Sequence, residues 1–252
     1  MIQYWSQNNA RRNAAFSPTS IPGIALWLDA SDAASITLDG SNNVSQWNDK
    51  SGNGKHAAQA TTTKRPSYQT AVQNGLNAVR FDGVDDCLQA ASVTLSGQFT
   101  IVLACKTTTA KPFFIEHSAN VNPNQGFYFY GTTPTASAVR RTATGIVSPD
   151  VNVTWYGSAA GVAVFRSLSS LVGGLAYSIR KNGVAQALTG SGTTTISSAE
   201  SITDTLNIGS RNNGAAPISD GDYYEVMLYD RPLTDAEVGA LETYLKTKWG
   251  TP

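Results

Sequence analysis

Asp222-Tyr-Tyr-Glu-Val-Met-Leu-Tyr-Asp230-Arg-Pro-Leu-Thr234-Asp-Ala-Glu237-Val-Gly-Ala-Leu-Glu-Thr-Tyr-Leu-Lys-Thr-Lys-Trp249-Gly250 contains a strand, a corner and a helix in one run. Tyr224, Val226 and Leu228 alternate with Glu225, Met227 and Tyr229, a mostly apolar period-two pattern that predicts a sheet strand with at least one buried face. Pro232 ends it. Thr234 stands three residues before Glu237, the spacing of a capping box in which hydroxyl and carboxylate each satisfy the other's backbone N–H. Val238, Leu241, Leu245 and Trp249 then recur at intervals of three and four, an apolar stripe along one helix face. Glu242, Lys246 and Lys248 are expected on its exposed face. The two lysines also suit the negative end of the helix dipole, and Gly250 is placed to cap it.

Working back from this end, the rest of the chain carries strand patterns and turns with no further helix. Ile24-Ala-Leu-Trp-Leu28 is a short unbroken apolar run, as a fully buried strand would be. Val44 to Asp49 alternates. Ala78 to Leu88 reads as strand, tight turn at Gly83, strand. Phe99 to Lys106, Pro112 to Glu116, Phe127 to Tyr130, Ala159 to Arg166, Leu175 to Arg180 and Leu206 to Ser210 continue the pattern. Asn182-Gly183 is the pair that two-residue hairpins prefer, because both central residues need positive φ. About a dozen short strands without alternating helices predict an all-β, two-sheet antiparallel sandwich with one C-terminal amphipathic helix. In 252 residues this is one domain, taken as 22–252, preceded by a polar arm, 1–21.

Charge excludes some partners. Lys plus Arg and Asp plus Glu are 18 each and only 14% of residues are charged, so nucleic acid and anionic membranes are not expected. No segment approaches the apolar length of a membrane span, and the N-terminus lacks the apolar region of a cleavable signal. Cys87 and Cys105 are too few for a disulfide scaffold and lie in apolar strand context, where buried free thiols or a single bridge both fit.

Several segments together resemble one family: Ala25-Leu-Trp-Leu-Asp-Ala-Ser-Asp32, Trp47-Asn-Asp-Lys-Ser-Gly-Asn-Gly54, Val79-Arg-Phe-Asp-Gly-Val-Asp-Asp86, Arg180-Lys-Asn-Gly183, Leu206-Asn-Ile-Gly-Ser-Arg211 and the closing Glu225 to Gly250. In order, over roughly 22 to 250, they look like the laminin-G-like modules of the concanavalin A-like lectin/glucanase superfamily, in the variant seen in bacterial surface proteins and bacteriophage virion proteins. Cys87 stands where that pattern has an aromatic. The resemblance implies a jelly-roll with a concave sheet that binds glycans or protein surfaces.

Catalysis finds little support in the residues. Glucanases of the superfamily use Glu-x-Asp-x-Glu on one strand, which projects both carboxylates to one face. No glutamate here has a second one four residues away on a strand, and Asp220-Gly221-Asp222, the nearest aspartate pair, is expected in a solvated turn. His56 and His117 have no nucleophile elbow or adjacent cysteine, and zinc lacks ligands. No organic cofactor is expected. Calcium is the one metal with candidate ligands: Asp49, Ser51 and Asn53 alternate before Gly54 as in an oxygen-cage loop, although Ala60 replaces the bidentate glutamate, and Asp82, Asp85 and Asp86 form a second acidic cluster. Asx turns account for the same residues.

Sugar recognition would use Tyr128 and Tyr130, which alternate with Phe127 and Phe129, and the Arg211-Asn212-Asn213 loop. Tyr4, Trp5, Arg11, Arg12 and Phe16 fit two readings of the arm, a tail packed loosely on its own domain and a docking element for a neighbouring subunit. The expected function is therefore a non-enzymatic virion protein, a decoration, fibre or tail appendage, present in repeated copies and facing a host-surface glycan or protein. The alternatives are a free bacterial carbohydrate-binding module and, less favoured by the residues, a glycoside hydrolase.

Overall fold

A computed structural model describes residues 16–107, 114–118, 126–131, 136–142, 145–147, 150–151, 159–172, 175–189, 201–211 and 215–252. Among the described residues, two antiparallel sheets face each other in a jelly-roll sandwich, a two-stranded ribbon pairs Ser210–Arg211 with Ala215–Ile218, and one α-helix, Asp235–Trp249, lies on the outside of the first sheet. The first sheet runs in the order Val184–Ala185, Leu175–Lys181, Gly161–Val172, Thr100–Thr107, Asp220–Tyr229, Leu76–Asp82 and Ser67–Gln73, and Ile24–Asp29 also pairs with Asp220–Tyr229. The second is ordered Leu188–Thr189, Asp150–Val151, Ala136–Thr142, Gly126–Gly131, Phe114–His117, Ser201–Ile208, Leu88–Ser96, Ala57–Ala58, Val44–Trp47 and Ile36–Leu38.

The strand alternation fills the space between the sheets. Leu28, Phe81, Leu103, Phe165 and Leu228 from the first sheet meet Trp47, Leu88, Ile115, Phe127, Phe129 and Ile208 from the second, all buried. Phe99 stacks on Phe127 with centroids 4.4 Å apart, and Phe129 on Phe165 at 5.7 Å. The Asn182-Gly183 hairpin forms with φ of 48° and 83°, as two positive-φ positions require. Cys87 and Cys105 are free and buried, and burial pushes the Cys105 thiol up to about 12.

The closing strand is central, and it is buried on both faces. Val226 and Leu228 enter the sandwich core, whereas Tyr224, Met227 and Tyr229 meet the helix residues Val238, Leu241, Leu245 and Trp249. The capping box is present: Thr234 N–H donates to Glu237 Oε2 (2.8 Å) and Glu237 N–H to Thr234 Oγ1 (3.3 Å). Arg231 adds a bidentate clamp on the same carboxylate, which holds Glu237 down to about 2. Gly250 ends the helix at φ 62°, its N–H donating to the Lys246 carbonyl.

Three charged positions lie elsewhere than the sequence pattern places them. Asp220-Gly221-Asp222 is part of the closing strand rather than a solvated turn; Asp222 is buried and receives both Nε and Nη2 of Arg80 at 2.6 and 3.0 Å. Glu242 is buried, not solvated, because Arg180 from the neighbouring hairpin donates two bonds of 2.9 Å to it. Lys248 folds back under the helix, with its ammonium 2.6 Å from Glu225 and 2.8 Å from Asp29. Helical periodicity reports which face a side chain starts from; it does not report a partner contributed by another strand.

Glu225 is fully buried and collects donors from three directions: Trp27 Nε1 (2.9 Å) from the first strand, Trp249 Nε1 (2.8 Å) and Tyr244 Oη (3.2 Å) from the helix, and Lys248. Burial pushes its carboxyl up, and the Lys248 ammonium pulls it back. Asp29 lies beside it; although burial opposes ionisation, Lys248 and Lys50 hold it below the usual carboxylate range. Removing one member of such a set leaves the other charges buried and unpaired. Glu225→Ala is expected to cost about 3–5 kcal/mol, a fall in Tm on the order of 10 °C for a domain of this size. Asp235→Ala, whose carboxylate is 83% exposed in its pair with Arg166, should cost no more than about 1 kcal/mol. Thermal melts of the two variants beside the parent protein check both values.

Candidate functional site

The helix packs on the outer face of the first sheet, and the outer face of the second carries a row of polar side chains. Its strands alternate: Phe127 and Phe129 turn into the core and Tyr128 outward, Ile115 and His117 inward and Glu116 outward, Leu206 and Ile208 inward and Asn207 outward, Leu88 and Ala90 inward and Gln89 outward. The register sets these outward residues side by side in one row, Tyr128 opposite Glu116, Glu116 opposite Asn207, Asn207 opposite Gln89. Beyond them the row continues through Ala58 to Gln46. Neighbouring strands lie about 4.8 Å apart, so adjacent members of the row are within side-chain reach.

The row is polar and internally bonded. Gln89 Nε2 donates to Asn207 Oδ1 (2.7 Å), and Asn207 Nδ2 donates to the Ser118 carbonyl (3.0 Å). Glu116 and Asn207 are each only 1% exposed, so they form the floor, with Tyr128 half-buried above. Arg211 reaches in from the short strand Ser210–Arg211. Its Nε lies 3.6 Å from Glu116 Oε1, and its guanidinium carbon 4.9 Å from the centroid of the Tyr128 ring. An ion pair with a buried carboxylate and a cation–π contact thus hold one guanidinium from two sides.

Gly209 is what lets Arg211 arrive there. Its φ of 89° turns the chain out of Ser201–Ile208, and a Cβ at this position would stand 2.2 Å from the Phe81 ring. A side chain here would clash with the core and demand the backbone conformation that glycine alone adopts cheaply.

Tyr128 and Arg211, both singled out in the sequence, therefore meet, although 83 positions separate them. Tyr130 lies on the same strand, opposite Phe114. Asn212 and Asn213 lie outside the described residues, as do Tyr4, Trp5, Arg11 and Arg12 of the arm. Phe16 is described: it packs on Tyr244 of the helix with centroids 5.6 Å apart and is 37% exposed. Pro18 and Ile21 are buried and Tyr229 Oη donates to the Pro18 carbonyl, so residues 16–21 pack as part of the sandwich. Glu116, Asn207 and Gln89 were missed as site residues. Alternation with Ile115 and Leu206 puts the first two on an outward face, but only the strand order makes them neighbours.

The described glutamates are dispersed. Among the described residues, Glu116 lies on the outer face of the second sheet, Glu225 under the helix on the first, and Glu237 and Glu242 on the helix itself. His117 is buried against Phe127, and its Nε2 lies 2.8 Å from the Val93 carbonyl oxygen. His56 Nδ1 accepts the Asp49 N–H.

The two acidic loops differ. Asp49 Oδ1 accepts the N–H groups of Trp27 and Ser51, and Oδ2 accepts Ser51 Oγ–H and the Lys55 N–H, all at 2.8–3.0 Å. Asn53 Nδ2 donates to the Ile24 and Ala25 carbonyls. Asp49 and Asn53 therefore bond backbone groups of strand Ile24–Asp29, and both Asp49 oxygens already serve protein donors. Asp82, Asp85 and Asp86 bring three carboxylates within 4.8 Å of one another. Asp86 Oδ2 accepts the Asp82 N–H and Asp82 Oδ1 the Val84 N–H, so the turn itself organises two of the three. Burial, helped by the Asp82 charge, pushes Asp86 up to about 7.

No protein-family model matches the chain, and no curated protein matches it. Among solved structures it is similar to the botulinum neurotoxin serotype D binding domain, with a TM-score of 0.60 and 10% identity over 91% of this chain and 54% of that one. It is similar to domain 4 of AbnA, a GH43 extracellular arabinanase from Geobacillus stearothermophilus solved in complex with arabinotriose, with a TM-score of 0.58 and 14% identity over 87% of this chain and 98% of that one. The Trypanosoma rangeli sialidase matches with a TM-score of 0.58 and 14% identity over 99% of this chain and 39% of that one. At these identities the likeness is one of fold, an antiparallel β-sandwich.

A buried carboxyl whose folded value lies above its usual one costs stability when it ionises. The Asp86 penalty is absent below about pH 4, grows between about 4 and 7, and is complete above 7. Asp86→Asn keeps an oxygen for the Asp82 N–H and removes the charge. It is expected to stabilise the protein by about 1–3 kcal/mol at pH 8 and to change it little at pH 4. Melting curves across this range check it, and repeating them with calcium chloride shows whether a cation relieves the same repulsion.

Proposed function

We propose that this chain is a non-enzymatic recognition module that binds glycans on the outer face of its second sheet. The observation that carries this reading is the half-buried Tyr128 ring packed against the Arg211 guanidinium on the outer face of the second sheet. An aromatic face supplies apolar area with a preset geometry, and the amides and guanidinium around it supply directional hydrogen bonds, the mixture that polyhydroxylated ligands use. The arabinotriose complex of the AbnA domain supports the same use of a related sandwich.

The setting we propose is the surface of a bacteriophage particle, as a decoration, fibre or tail appendage present in repeated copies, with a host-surface glycan or protein as its target and residues 1–15 docking on other virion subunits. The resemblance of the Ala25–Asp32, Trp47–Gly54 and Glu225–Gly250 segments to virion laminin-G-like modules supports it. A bacterial carbohydrate-binding module is the second reading, favoured by the AbnA likeness. Co-purification of the chain with intact particles separates the two.

The binding reading is tested on a glycan array with the parent protein and Tyr128→Ala. The variant should lose at least about tenfold in affinity for every glycan the parent retains, equivalent to about 1.4 kcal/mol, with its Tm within about 2 °C because the ring is half-exposed. Equal binding by both proteins would remove this face from consideration.

A further inference from the structure

Resting on the glycan-binding reading of this face, we infer that its ligand is an uncharged glycan and that Glu116 imposes that choice by compensating Arg211. A guanidinium with a free edge is the usual means of selecting a carboxylate, as its paired N–H groups match the two oxygens. Here Nε lies 3.6 Å from Glu116 Oε1, an ion-pair distance, and the Nε–Nη2 edge that such recognition needs is buried and makes no hydrogen bond among the described residues, with the guanidinium packed on the Tyr128 ring. The cation is matched by an anion within the protein, and its position is fixed before any ligand arrives.

A sialic or uronic acid carboxylate at this point would bring a second negative charge beside Glu116. With Glu116 1% exposed and the Arg211 side chain 22% exposed, solvent screens that repulsion poorly. A hydroxyl faces no such penalty. It is both donor and acceptor, and it needs a single hydrogen bond from Nη1, the guanidinium nitrogen outside the buried edge, of a cation whose charge is already matched. Glu116 therefore works against acidic sugars while holding Arg211 in place for neutral ones. It is a specificity-determining and positioning residue, and no contact of its own with the sugar is required.

The experiment measures binding of matched glycan pairs, each neutral oligosaccharide beside its sialylated or uronic-acid-bearing counterpart, by calorimetry at low and high sodium chloride. The parent protein should prefer the neutral member of each pair by at least about tenfold, with an affinity that changes less than about twofold across the salt range. Glu116→Gln leaves Arg211 uncompensated and should shift the acidic-to-neutral ratio by at least about tenfold towards the acidic member, with binding that now weakens as salt rises. If that variant does not fold by circular dichroism, the parent's neutral preference and flat salt response decide the matter alone. Tighter, salt-sensitive binding of acidic glycans by the parent overturns the inference and leaves the glycan reading standing. Binding of neither set by the parent overturns both.

Discussion

One buried carboxylate organises this molecule. Glu225 takes hydrogen bonds from the indoles of Trp27 and Trp249 and an ammonium from Lys248, and so joins the first strand, the last strand and the C-terminal helix at one point. A lone carboxylate at zero exposure would be costly; four donors from separated parts of the chain make it tolerable only when all three elements are docked. Asp29 and Lys50 extend the set, and Lys50 also lies 4.7 Å from the Trp27 ring. The arrangement is specific because every member depends on the others.

From that point the division of labour follows. The helix covers the outer face of the first sheet with Val238, Leu241, Leu245 and Trp249, so both faces of the closing strand are dry. The second sheet keeps an outer face of its own, and along it the alternation that buries Phe127, Ile115, Leu206 and Leu88 necessarily projects Tyr128, Glu116, Asn207 and Gln89 the other way. The polar row is thus a by-product of core patterning, completed by one residue, Arg211, that the bend at Gly209 delivers from outside the sheet.

Local grammar was legible in the sequence. The Thr234/Glu237 capping box, the apolar stripe of the helix, the Gly250 stop and the Asn182-Gly183 hairpin all follow from residues within a few positions of each other, and each is present. Tyr128 and Arg211 were legible as residue types, an exposed aromatic and a loop cation, but their contact was not. What escaped was everything that needs a strand order. Arg180 reaching Glu242, Arg80 reaching Asp222, and Glu116 falling between Tyr128 and Asn207 depend on pairings across 62, 142 and roughly 90 positions, which periodicity within a strand does not encode. The Asp49-Ser51-Asn53 loop shows the same. Its spacing is read locally, whereas the bonds of the Asp49 carboxylate to the Trp27 N–H and of the Asn53 amide to the Ile24 carbonyl cross to another strand.

The claim at the centre of this account is that the two outer faces have separate tasks, one structural and one for recognition. Amide and side-chain NMR during titration with a glycan retained on the array tests it most directly. Shifts confined to Gln89, Asn207, Glu116, Tyr128 and Arg211, with the Trp27 and Trp249 indole resonances unmoved, are the result expected. Shifts centred on Lys50, Tyr244 and the two indoles, with the Tyr128 row silent, would contradict it.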